Sequence, residues 1–218
     1  MDTSLSFIHR YEAAARVGSP PLLLLHGTGG DEDDLLPIGR MVSPGSALLS
    51  PRGKVLENGM PRFFRRLAEG VFDEADVVRR AHELADFVAA ARKSYGIAPP
   101  IALGYSNGAN IAAAVLLLRP EALAGAVLLR AMVPLTAAPR AQLAGKPVLI
   151  LSGAMDPIAP AENAARLAAV LKKAGAAVEQ RTLPAGHELS QADIATTRTW
   201  LESSHAMSIA AATRQTSA

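Results

Sequence analysis

A serine, an acid and a histidine stand in this chain in the order and local settings that nucleophilic acyl chemistry needs. Ser106 lies in Gly104-Tyr105-Ser106-Asn107-Gly108, a G-x-S-x-G sequence. Before it, Pro100-Ile101-Ala102-Leu103 reads as a short buried strand; behind it, Ala109 to Leu118 is almost wholly apolar and helix-forming. The pattern predicts a serine on a sharp strand-to-helix turn, with its Oγ projected away from the backbone. Glycine two places before and two after removes side chains that would strike the adjoining strand and helix. The helix that follows turns its positive end toward the site, where negative charge would develop. An ordinary Gly-rich turn would carry the same five letters, so the partners decide.

Those partners lie downstream. Lys146 to Ser152 is a strong buried-strand signal and is followed by Gly153-Ala154-Met155-Asp156-Pro157. Pro157 bars helix at Asp156 and fixes the turn that presents the acid. Ala177 to Leu183 alternates as a strand, and Pro184-Ala185-Gly186-His187 is a loop carrying a histidine. Ser106, Asp156 and His187 thus follow one another along the chain, each just past the carboxyl end of a predicted strand. A helix-capping Asp156 and a histidine that only bonds backbone are the bland alternatives.

A fourth element would supply the electrophilic half of the chemistry. Leu22 to Leu25 is a continuous apolar run, typical of a parallel strand covered on both faces, and it opens into His26-Gly27-Thr28-Gly29-Gly30. The backbone N–H of Thr28, with that of Asn107, is placed to bind an oxyanion; Gly29 is the weaker choice. His26 is expected to shape the turn rather than react.

The remaining elements must position these loops. Leu5 to Glu12 reads as an edge strand. Asp31-Glu32-Asp33-Asp34 reads as the start of a helix reaching Val42, its acids complementing the helix dipole. Ser46 to Ser50 reads as a strand. Pro51 to Phe72 is a long connection, and long connections are often functional. Its Phe63 and Phe64 are candidates for an apolar substrate wall, and its arginines for partners of Glu57 or of a substrate carboxylate. Asp73 to Tyr95 is an amphipathic helix capped by Asp73 and ended by Gly96. Arg130 to Gly145 reads as a loop beside the site, with Met132 and Val133 as pocket-lining candidates. Residues 1–202 form one domain in this reading, and 203–218 a mobile Ala/Ser/Thr-rich tail.

Composition limits the function classes. The chain has 218 residues, half of them apolar, and a formal net charge of +2. No basic patch suggests nucleic acid. There are no cysteines, hence no disulfide, no thiolate nucleophile and no Cys-ligated metal. No converging metal ligands are visible, and no cofactor is called for. No apolar run approaches a membrane span, and no basic-then-apolar leader is evident, so a cytoplasmic protein is expected.

His26-Gly27-Thr28-Gly29-Gly30, Gly104-Tyr105-Ser106-Asn107-Gly108, Asp156-Pro157 and Gly186-His187 together resemble the α/β-hydrolase superfamily, in its small phospholipase/carboxylesterase branch. The segment from Arg52 to Arg66 is similar to a bacterial carboxylesterase subgroup associated with quinone and aromatic catabolism. The resemblance implies an α/β three-layer sandwich around a mostly parallel sheet, a minimal lid, and hydrolysis of small or aromatic carboxylic esters, with a homodimer as one possible assembly. The neighbouring dienelactone hydrolases use a cysteine nucleophile, which this chain lacks. A thioesterase or lactonase would use the same side chains, and a hydrolase-fold protein that only binds a ligand is the third reading. Turnover by His187 requires a neutral imidazole, so activity should fall on acidification.

Overall fold

Leu22–Leu25 has no polar position and is wholly buried, as a parallel strand covered on both faces must be. The same logic extends across the sheet. The computed structural model describes residues 5–16, 18–137 and 141–215, with side chains to residue 203. Its elements run β1 (His9–Glu12), β2 (Leu22–Leu25), α1 (Leu36–Val42), β3 (Leu48–Pro51), β4 (Val55–Glu57), β5 (Met60–Arg62), β6 (Arg66–Ala68), β7 (Val71–Phe72), α2 (Glu74–Tyr95), β8 (Ile101–Tyr105) and α3 (Asn107–Leu118). After a short 3-10 turn come β9 (Gly125–Leu129), β10 (Pro147–Gly153), α4 (Ala161–Lys173), β11 (Ala177–Leu183) and α5 (Gln191–Gln215).

Seven strands form one sheet in the order β1-β3-β2-β8-β9-β10-β11. β1 pairs antiparallel with β3 at the edge, and every other pairing in this sheet is parallel. Side chains alternate between two cores. Leu23, Leu25, Ala102, Leu128 and Ile150 face α2, α3 and α4. Leu22, Leu24, Leu103, Val127 and Leu149 face α1 and α5, with Trp200 and Leu201. Helices therefore cover both faces, giving the expected three layers. α3 is buried all round and, apart from Asn107 and Asn110, correspondingly apolar. The chain steps outward from β2 to β3, then returns to place β8 on the other side of β2. The carboxyl ends of β2 and β8 therefore flank a crevice, the usual ligand site of an open α/β sheet.

Two local expectations need correction. The acidic run does not open a helix; α1 starts at Leu36 with no acid in its first turn. Instead Arg52 Nη2 donates to Glu32 Oε1 at 2.8 Å and Arg10 Nε to Asp33 Oδ1 at 2.8 Å. Arginines on neighbouring segments take these acids away from the dipole. The connection from Pro51 to Phe72 is not an open loop but two short antiparallel hairpins, β4–β5 and β6–β7. Asn58 and Gly59, with φ of 51° and 80°, make the β4–β5 turn. α5 carries helical backbone through Gln215, into the segment expected to be a mobile tail; residues 216–218 lie outside the described residues. Asp73 does cap α2, its carboxylate accepting from the Asp76 N–H, and Gly96 ends it with φ of 64°.

Candidate active site

Ser106 joins β8 to α3 with φ of 52° and ψ of −112°, a conformation that a non-glycine residue holds only when its surroundings enforce it. The enforcement is visible. The Ser106 N–H donates to Leu129 O at 2.9 Å, and its carbonyl accepts from Asn110 N at 3.0 Å. A Cβ on Gly104 would lie 2.5 Å from Gly108 O, and one on Gly108 would overlap the carbonyl of Leu25. Both motif glycines are thus required by close approach.

The imidazole and the carboxylate complete a continuous row. His187 Nε2 lies 3.0 Å from Ser106 Oγ, and His187 Nδ1 lies 2.8 Å from Asp156 Oδ2. The Ile158 and Ala159 N–H groups donate to Asp156 Oδ1 at 2.8 and 2.9 Å. The acid is thereby fixed in place and aimed at the ring. Such a row can draw the proton from a serine hydroxyl and stabilise the cation that results.

The loop bearing His187 is clamped by residues the sequence reading passed over. Arg130, only 1 % exposed, donates from Nε to Gly186 O at 2.8 Å and from Nη2 to Glu188 O at 3.1 Å, on either side of the histidine. Its remaining charge is met by Asp193, with both oxygens at 2.8 Å. Burial opposes the Asp193 carboxylate, but bonds from Arg130 and Ser190 outweigh it and hold its pKa below the usual range. Tyr105 adds a hydroxyl bond to His187 O at 3.2 Å and a ring 5.5 Å from the imidazole. Ser190-x-x-Asp193 has the form of a capping box, the one sequence signal that pointed here.

On the opposite rim, Thr28 follows β2 and Asn107 begins α3, where the first backbone N–H groups have no acceptor within the helix. The Gly29 N–H is occupied by Pro61 O at 3.0 Å. Thr28 and Asn107 both line the cleft that holds Ser106. The Asn107 side chain is also employed: Oδ1 accepts from Phe63 N at 2.7 Å, while the buried Nδ2 has no partner among the described residues. His26 shapes the turn, as expected. Gly53 N–H donates to its Nε2 at 2.9 Å, and its Nδ1 pairs with Gly27 O at 2.7 Å. Burial pushes the His26 pKa down.

The expected substrate wall is differently built. Phe63 and Phe64 are core residues, 2 % and 0 % exposed. Phe63 packs on the His26 ring and Phe64 on Phe72. Phe72 is the aromatic that lines the Ser106 cleft, together with Met132, Ile158, Arg62 and Arg66. Gly70, Phe72 and Met132 also border an adjoining cavity of about 400 Å³, and Val133 lines that cavity alone. Arg62 and Arg66 both pair with Glu57. Among the described residues, no cluster of three or more His, Cys, Asp or Glu could hold a metal ion, and no helix is long and apolar enough to cross a membrane.

A mostly parallel sheet with helices on both faces, and a serine turn, acid loop and histidine loop at the ends of β8, β10 and β11, define an α/β-hydrolase of carboxylesterase type. The chain belongs to the phospholipase/carboxylesterase family, whose profile matches residues 11–205. MhqD of Bacillus subtilis (strain 168), a protein named as a hydrolase, is 48 % identical over 181 residues, covering 82 % of this chain and 90 % of that one. The Bacillus cereus carboxylesterase superposes with a TM-score of 0.88 at 44 % identity, covering 91 % of this chain and 94 % of its own. A Mesorhizobium loti carboxylesterase gives 0.87 at 34 % identity, over 92 % and 96 % of the two chains.

Proposed function

We propose that this chain hydrolyses carboxylic esters of small or aromatic substrates through an acyl-enzyme on Ser106. One observation carries the reading: the unbroken row from Ser106 Oγ to His187 at 3.0 Å and on to Asp156 at 2.8 Å. In the first step Ser106 Oγ attacks the ester carbonyl while His187 Nε2 takes its proton. Asp156 keeps Nδ1 protonated and offsets the imidazolium charge. The N–H groups of Thr28 and Asn107 hold the tetrahedral oxyanion. His187 then gives its proton to the departing alkoxide, activates a water, and the acid is released. Phe72 and Met132 offer apolar surface beside the nucleophile, and the adjoining cavity of about 400 Å³ is of a size that takes small molecules.

Assays with 4-nitrophenyl acetate, longer acyl esters, aryl acetates, a thioester and a lactone would rank substrates. Ester turnover should exceed the other two, and Ser106→Ala should lower kcat by about 10⁴-fold or more with the fold intact. Ester turnover undiminished in Ser106→Ala would reject the mechanism.

A further inference from the structure

Three consecutive residues, Pro61, Arg62 and Phe63, reach both sides of the oxyanion site. Pro61 O accepts from the Gly29 N–H at 3.0 Å, next to Thr28. Arg62 Nη1 donates to Thr28 Oγ1 at 2.7 Å, and the Phe63 N–H donates to Asn107 Oδ1 at 2.7 Å. The strand end is itself locked in place. A Cβ on Gly53 would overlap the backbone of Arg62, and Arg62 Nε donates to Phe64 O at 3.2 Å.

The charge is the part that a purely mechanical brace would not need. Arg62 is 3 % exposed. A neutral donor of similar length would tie a threonine hydroxyl without the cost of burying a cation. Glu57 lies 3.2 Å from Arg62 Nε and is shared with Arg66, whose Nε donates to it at 2.8 Å. Among the described residues it is the one carboxylate within ion-pair reach of either guanidinium. Two cations are therefore set against one anion; the other acid at this cleft, Glu69, stands exposed at the β6–β7 turn.

We propose that Arg62 is a positioning residue of the oxyanion site. It fixes Thr28 through the hydroxyl and adds positive potential where the tetrahedral intermediate gathers negative charge. A field of this kind acts on the transition state more than on the neutral ester, so it raises kcat with little effect on KM. The inference rests on the acyl-enzyme reading of Ser106.

The test uses the full chain, with active sites counted by fluorophosphonate labelling. Arg62→Met, Thr28→Val, Thr28→Ser and the Arg62→Met/Thr28→Val double variant are assayed on 4-nitrophenyl acetate. Inhibition by an aryl trifluoromethyl ketone, which forms a tetrahedral adduct with the serine, is measured alongside. Arg62→Met should lower kcat about 10- to 100-fold, less than the 10²–10³ that follows loss of a direct donor. KM should stay within about threefold, and ketone affinity should fall in parallel with kcat. Thr28→Val should lose kcat comparably, Thr28→Ser should restore it, and the double variant should add less than the product of the two losses. A labelled Arg62→Met protein with wild-type kcat and ketone affinity would overturn the proposal. If Arg62→Met does not fold, wild-type kcat in Thr28→Val overturns it instead. Absence of ester turnover in the wild type, or full turnover in Ser106→Ala, sinks the acyl-enzyme reading and this inference with it. An active wild type beside an unaffected Arg62→Met sinks the inference alone.

Discussion

At the scale of single residues, the site is held by neighbours that leave each group little choice. Ser106 keeps a left-handed φ because Gly104 and Gly108 remove the atoms that would forbid it. His26 is a quieter instance. Its Nε2 accepts the Gly53 N–H, so a proton on that nitrogen would put two donors face to face. Burial depresses its pKa, and the folded chain therefore holds it neutral. The unfolded chain takes up a proton near the ordinary imidazole value of about 6.5. Below that pH the unfolded state binds more protons, so this contribution to stability is present above it and fades as pH falls through it. Thermal melts from pH 8 to pH 5 should show a steeper loss of Tm below about pH 6.5 in the wild type than in His26→Gln. Equal slopes in the two proteins would mean that His26 is not the group responsible.

At the scale of elements, the loops after β2, β8, β9, β10 and β11 are tied to one another rather than left to drift. Arg130 on the β9 loop holds both flanks of His187, and Asp193 at the start of α5 neutralises it. Arg130→Met would leave Asp193 buried without its cation. The expected cost is about 3–5 kcal/mol of unfolding free energy, read from denaturant midpoints, together with a fall in kcat as the histidine loop loosens. A loss under about 1 kcal/mol would show the pair to be dispensable. Local signals made much of this legible in the sequence: the apolar runs of β2, β8 and β10, the Asp73 cap and the Gly96 stop. Asn58-Gly59 between alternating residues was also a hairpin signal, and reading 51–72 as open loop overlooked it. The misreading of Phe63 and Phe64 followed. On a loop they would have been free to face substrate; on a docked hairpin they fall into the core. Arg62 and Arg130 could not have been assigned from sequence, because their partners lie 34 and 63 positions away along the chain.

At the scale of the whole molecule, three side chains separated by as many as 81 positions meet because parallel strands all end at one edge. Sheet order does the work. β2 and β8 are neighbours, so the Thr28 loop and Ser106 share a crevice; β10 and β11 are neighbours, so Asp156 and His187 meet. The order Ser, Asp, His along the sequence was enough to foresee this convergence, since each residue follows a strand. The shape of the cleft was not foreseeable, since it depends on how two hairpins settle over the sheet. Ester hydrolysis by this site requires Ser106 to be the one activated hydroxyl. Brief treatment with a fluorophosphonate, followed by peptide mass mapping, tests that directly. One adduct per chain is expected, on the peptide containing Ser106, with its near disappearance in His187→Ala. An unmodified Ser106 in protein that still hydrolyses esters, or an adduct elsewhere, would contradict it.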